Sequence, residues 1–215
     1  KLNLSADNFN YFKSLTHIGR SGKMLFMRLF ISVLVLIFSF QSLVKADDIR
    51  DFEIEGMNVG DSLLDYFSKE EIMDRKKTPY VSKKFATLAG FFEEGAAYEG
   101  YLVHFKNDDP KFTIEALQGM IIFENNIQEC YKLKKEITSE FDKTIKNVKK
   151  ESWKKKHVAD KSGKSKTDNT QYTYKSGGHT RVVCSDWSEE MNYKDKLSVS
   201  IVTKEFVYWI ENEAY

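Results

Sequence analysis

The 215-residue chain carries 33 basic and 32 acidic side chains, a formal net charge of +1. Without residues 1–46 the balance is 27 basic to 31 acidic, net −4, which gives no overall pull toward nucleic acid and suits a soluble monomer. Residues 47–215 are enough for one domain with a substantial core, and the two cysteines allow one intrachain bridge.

In chain order, residues 1–23 carry no apolar periodicity and are expected not to belong to the native protein, with Met24 or Met27 as the initiator. Arg28 then precedes Leu29 to Phe40, almost wholly Leu, Ile, Val, Phe and Ser, and Val44 and Ala46 stand where a small-residue cleavage site needs them. That order is a basic region, an apolar core and a cleavage site, so 24–46 reads as an export signal. The apolar core is shorter than the roughly 20 residues a bilayer span takes; an uncleaved anchor over 29–44 is the alternative. Export places Cys130 and Cys184 in an oxidising compartment, where a disulfide is expected, with two buried thiols as the alternative.

Asp47 to Glu55 fits an edge strand or a loose arm. Asp61 is expected to cap a short helix over 62–67, and Ser68 with Glu71 forms a capping box for a second helix through Asp74. Tyr80 to Phe92 fits a linker, a strand or a helix. Tyr101, Val103 and Phe105 alternate as a strand, Asn107 to Pro110 turn, and Phe112 to Phe123 return with a break near Gly119.

Asn126 as N-cap with Glu129 at N3 opens the clearest helix, whose apolar stripe runs Ile127, Cys130, Ile137, Phe141, Ile145 and Val148. Lys132, Lys134, Lys135, Lys143, Lys146, Lys149 and Lys150 fall on its other faces. Residues 151–170 are lysine-rich with little apolar material and are expected to form a mobile loop. Gln171 to Lys175 pairs with His179 to Asp186 across Ser176-Gly177-Gly178. Lys196 to Ile210 reads as a strand whose register slips near Thr203-Lys204. The expected architecture is α+β, one domain over 47–215: an antiparallel sheet of about five strands, one long amphipathic helix on one face, and short N-terminal helices.

Three motifs suggest chemistry. Gly60-Asp61-Ser62-Leu63 resembles the first block of the GDSL esterases, which implies Ser62 as a nucleophile. The rest of that set is missing: Phe105 stands where the family's second glycine block begins, and no Asp lies three residues before His104, His157 or His179. Gly163-Lys164-Ser165 echoes the end of a phosphate-binding loop, with Val158 where the first glycine belongs. The four histidines are scattered, and no metal site is expected.

The run from Asp47 through Ser68, and Phe123-Glu124-Asn125-Asn126-Ile127-Gln128-Glu129-Cys130 later, resemble an uncharacterised family of exported proteins from marine alphaproteobacteria. That resemblance implies export and brings no known activity. Gly56-Met57 before a short helix is similar to the opening of the small BamE/SmpA-like envelope proteins, although the lipid-carrying cysteine of those lipoproteins is absent here.

The sequence leads to an exported, periplasmic or secreted, non-catalytic binding or envelope-associated protein with no cofactor. Another envelope protein is the expected partner, met through a sheet edge or an aromatic patch drawn from Tyr98, Tyr101, Tyr172, Tyr174, Tyr208 and Trp209. No nucleic acid and no membrane span after signal cleavage are expected. One alternative is a small serine hydrolase using Ser62. Another is a surface for polyanions or anionic lipid made by Lys149, Lys150, Lys154, Lys155, Lys156, Lys164 and Lys166.

Overall fold

Leu197, Val199 and Ile201 are buried on one side of a strand, while Lys196 and Ser200 on its other side keep partial exposure. In the computed structural model, which describes residues 48–124 and 126–215, this strand is the central one of a seven-stranded antiparallel sheet. The expected export signal at 24–46 and the residues 1–23 before it lie outside the described residues.

The described chain enters through 3-10 turns at Ile49–Asp51 and Leu63–Asp65, followed by helix α1 (Lys69–Arg75). Strands β1 (Phe85–Phe91), β2 (Gly100–Lys106) and β3 (Ile114–Phe123) form one meander, and helix α2 (Ile127–Thr144) crosses from it. Strands β4 (Lys149–Lys156), β5 (Lys166–Thr173), β6 (His179–Asp186) and β7 (Asp195–Val202) form a second meander, and helix α3 (Lys204–Asn212) follows. The strand order is β1-β2-β3-β7-β6-β5-β4, so the β3–β7 pair joins the two meanders.

The main core lies between the sheet and α2. Cys130, Ile137 and Phe141 on the helix meet Tyr172, Val182, Cys184 and Leu197 on the strands. Cys130 and Cys184 form a disulfide that ties α2 to β6, their Cα atoms 6.0 Å apart. The N-terminal arm covers the same face with Ile49, Phe52, Ile54, Met57 and Leu63, and the Phe52 ring packs edge-on to Phe141 at 5.5 Å. Ile54 and the Tyr98 ring sit where a Cβ on Gly119 would be, within 2.9 and 2.6 Å. Gly119 is therefore a close approach in a regular strand, and the irregularity expected there falls instead where β2 and β3 shift register beside His104 and Phe105.

Among the described residues the sheet has seven strands rather than about five, and three helices accompany it. Five strands stand near their expected places; β1 and β4 are the additions. β1 is apolar on both faces and almost wholly buried, so it lacks the alternation that marks a strand. β4 shows the opposite extreme, five lysines in eight residues, and lies at the sheet edge. Charged side chains, lysine above all, discourage edge-to-edge pairing with another chain. The stretch expected as a mobile loop is therefore largely the β4–β5 hairpin.

The expected strand through Ile210 ends at Val202. Thr203 caps α3, its Oγ1 accepting from Phe206 N at 3.2 Å and donating to Glu115 Oε2 at 2.5 Å. Phe206, Trp209 and Ile210 recur at helical spacing and form a second small core with Tyr80, Phe85 and Ala116. The Ser68–Glu71 capping box opens α1 as expected, while Ser62 rather than Asp61 caps the preceding single turn. Asn126 makes no side-chain bond to the backbone of α2; its amide donates to Glu129 Oε1 at 2.7 Å. Lys134, expected on an outer face, is buried.

Candidate functional site

A sheet with one helix-covered face has a second face to account for, and pairing register defines what stands on it. Trp153, Asn169, Val183, Ser198 and Met120 lie in one row across five strands. The row above holds Gln171, Arg181, Ser200 and Gln118, and the row below holds Lys155, Thr167, Ser185 and Lys196. α3 covers one end of this face, over Phe85, His104 and Ala116. On these rows Met120, Thr167, Asn169, Ser185 and Ser198 are buried, and of the residues named only Lys155 is exposed.

The floor is polar and internally bonded. Asn169 Nδ2 donates to Thr167 Oγ1 at 3.0 Å and to the Trp153 carbonyl at 3.3 Å. Gln171 Nε2 donates to Thr173 Oγ1 at 3.0 Å, and Gln118 Nε2 to Ser198 Oγ at 3.4 Å. Arg181 donates Nε to Gln171 Oε1 at 2.8 Å and a second bond from Nη2 to the same oxygen, with its guanidinium 5.6 Å over the Trp153 ring.

The electrostatics of this face are one-sided. Burial, and then the neighbouring Arg181, pull the Lys155 ammonium below its ordinary range. Burial pulls Lys196 down to about 8. Burial and then Lys196 and Lys155 hold His157 down to about 4; burial and then Arg181 hold His179 down to about 3. Among the described residues, Glu211 on α3 acts on Arg181 from a distance, and Glu151, in the row of Gln171 and Arg181, pairs with Lys149 at 3.0 Å.

The lysine cluster read from the sequence does not converge. Strand alternation sends Lys150, Lys154 and Lys156 to the α2 face and Lys149 and Lys155 to the other. Lys150 binds Asp142 at 2.6 Å, Lys154 meets Asp168 at 3.4 Å, and Lys164 pairs with Glu190. Lys166 is exposed at the start of β5.

Asp168 also receives the buried Lys134 ammonium at 2.6 Å, linking α2 to β5. Removing the shared carboxylate strands Lys134, so Asp168→Ala is expected to cost about 3 kcal/mol. Lys134→Met, which leaves Asp168 with Lys154, should cost clearly less. Urea unfolding of the two variants checks this ordering.

Ser62 is not activated. Its Oγ donates to the Lys111 carbonyl at 2.6 Å and accepts from Leu64 N at 3.2 Å, the bonds of a turn cap with no histidine among them. The Gly163-Lys164-Ser165 turn is likewise structural. Asp160 Oδ2 accepts from Ser165 N at 2.8 Å and Ser165 Oγ at 2.7 Å, and these bonds, the hydroxyl's first, hold its carboxyl well below the usual range. The aromatic patch dissolves into the core: Tyr101, Tyr172, Tyr174 and Trp209 are buried, Tyr98 is half-buried, and Tyr208 is exposed. A cleft of about 250 Å³ opens between Asp48, Arg50, Val59, Glu115, Thr203 and Lys204, with charges of both signs. Among the described residues no three His, Cys, Asp or Glu side chains are grouped to hold a metal ion.

No described helix is long and apolar enough to cross a membrane. No protein-family model matches the chain, no curated protein matches it, and no solved structure matches it.

Of the face described here, only Lys155 stood out in the sequence. Arg181, Trp153, Gln171, Asn169 and Ser198 carried a weaker signal. Polar residues alternate with core residues in Thr167-Asp168-Asn169-Thr170-Gln171-Tyr172-Thr173 and in Leu197-Ser198-Val199-Ser200-Ile201. That pattern marks which side faces away from α2.

Proposed function

We propose that this is a non-catalytic binding protein of the periplasm or the extracellular space, meeting its partner at the β4 edge of the sheet. One observation carries the reading: on the sheet face opposite α2 the residues toward the middle, Met120, Asn169 and Ser198, are buried, while Lys155 on β4 is exposed and Trp153 beside it is partly so. The Cys130–Cys184 bond fits an oxidising compartment. The occupied hydroxyl of Ser62 weighs against hydrolysis.

The test is amide and side-chain NMR of the full chain during titration with envelope glycan, lipid and protein fractions. Shifts concentrated on Trp153, Lys155 and Gln171 are expected. Shifts confined to the outer surface of α2, or labelling of Ser62 by a fluorophosphonate that Ser62→Ala abolishes, would overturn the reading.

A further inference from the structure

We infer that the β4 edge takes an extended segment of a partner protein as an added antiparallel strand, and that this segment sets two adjacent acidic residues against Lys155 and Lys156. The inference rests on the proposed meeting place at the β4 edge and adds the conformation and charge of what binds there.

The two edges of the sheet differ. At β1 the outward main chain is already engaged: Thr87 exchanges two bonds of 2.8 Å with Lys77, and the Ala89 carbonyl accepts from Arg75 Nη2 at 3.0 Å. At the other edge His157 N donates to the Ser165 carbonyl at 2.8 Å, which fixes the parity of the β4–β5 ladder. By that parity Lys150, Ser152, Lys154 and Lys156 direct their N–H and C=O groups away from β5, and among the described residues nothing bonds to those groups. Such a row is what a further strand pairs with.

Charge selects the strand. Glu151 answers Lys149, Asp142 answers Lys150, and Asp168 answers Lys154. Lys155 and Lys156 are exposed, and neither has an ion pair among the described residues. As neighbours in a strand they stand on opposite faces of the sheet, so two adjacent acids of an added strand, one on each face, meet both. Two positions from the acid opposite Lys155, the same segment passes the partly exposed Trp153, where a β-branched or aromatic side chain packs. A second copy of β4 does not fit. Paired antiparallel about Ser152 it sets Lys150 against Lys154 and Lys149 against Lys155; paired about Lys154 it sets that lysine against itself.

The experiment titrates the full chain with a capped peptide, Thr-Glu-Glu-Thr-Val-Thr-Val, read by calorimetry and amide NMR. Its controls are the same peptide with lysine for both glutamates, two N-methylated forms, and dextran sulfate. Saturable binding at submillimolar concentration is expected, with the largest amide shifts at Ser152, Lys154 and Lys156. Methylating the nitrogens of the second and third threonines, which face β4 in this register, should abolish binding. Methylating those of the second glutamate and first valine, which face away, should preserve it. Lys155→Glu with Lys156→Glu should weaken binding about tenfold or more, since both cross-strand pairs become repulsive. Lys83→Glu with Lys111→Glu, the same change in net charge on exposed lysines outside β4, should leave it unchanged. No binding at millimolar concentration, equal binding of the lysine peptide, or the same affinity for both methylated forms overturns the strand assignment. Binding of dextran sulfate while the peptide stays silent marks a polyanion surface and overturns it too. If envelope fractions still shift Trp153 and Lys155 in those cases, the edge remains the meeting place; if nothing shifts them, that reading fails as well.

Discussion

Moving from about pH 8 to pH 5 should destabilise the fold by about 4 kcal/mol through its two most deeply buried histidines, with His157, also held down by burial, adding to the loss. His104 lies against the Phe206 ring at 4.6 Å and the Tyr80 ring at 6.2 Å, and its Nδ1 has no hydrogen-bond partner among the described residues. Burial holds it down to about 3. His179 is held down to about 3 by burial and then by Arg181. Both folded values lie below the unfolded value near 6.5, so the unfolded chain binds more protons. The stability they contribute is therefore complete above about pH 6.5 and is lost as pH falls toward 3. At pH 5 each costs about 2 kcal/mol on this linkage. Urea unfolding at pH 8, 6.5 and 5 measures it. His104→Phe should remove about 2 kcal/mol of the acid loss and leave the stability at pH 8 unharmed, because it removes an unsatisfied nitrogen from an aromatic pocket. An acid loss of the same size in that variant would show that carboxylates, not His104, dominate.

The same residues show why part of this fold was legible and part was not. β2, β3, β6 and the first half of β7 alternate apolar and polar because one face packs on α2 and the other is polar or thinly covered, and alternation is what sequence reading detects. β1 lies between the main core on one side and the α3 core on the other, so both its faces are apolar and its period disappears. β4 has almost no apolar residue because its partners are charges brought from elsewhere: Asp142 on α2 and Asp168 on β5. Its lysines looked like one basic cluster because a list of residues does not show that neighbours in a strand point to opposite faces. The Thr203 cap was missed for a related reason. Phe206, Tyr208 and Ile210 fit a two-residue period, and Phe206, Trp209 and Ile210 fit a helix equally well; packing on Phe85 and Tyr80 selects the second. The rows opposite α2 were the least legible feature, because their residues converge from five strands that no local pattern relates.

Reduction of the Cys130–Cys184 bond should lower the thermal midpoint on the order of 10 °C, the consequence of losing about 4 kcal/mol in a domain of this size. The bond joins positions 54 residues apart, and the loop it closes contains nearly all of α2 and the whole β4–β5 hairpin. Without the bridge the unfolded chain regains the freedom of that loop, which is the larger part of the effect on the chain-entropy account. The folded chain keeps other ties between the same elements: Lys134 to Asp168 at 2.6 Å, and the Tyr172 hydroxyl to the Thr138 carbonyl at 3.1 Å and to Asp142 at 3.0 Å. Reduced protein should therefore still fold at room temperature, and Cys130→Ala with Cys184→Ala should behave alike, apart from a small cavity cost. Calorimetry with and without dithiothreitol, with mass spectrometry to count free thiols, measures the shift. A midpoint unchanged in fully reduced protein would mean that the ion pair and the tyrosine bonds alone hold α2 to the sheet.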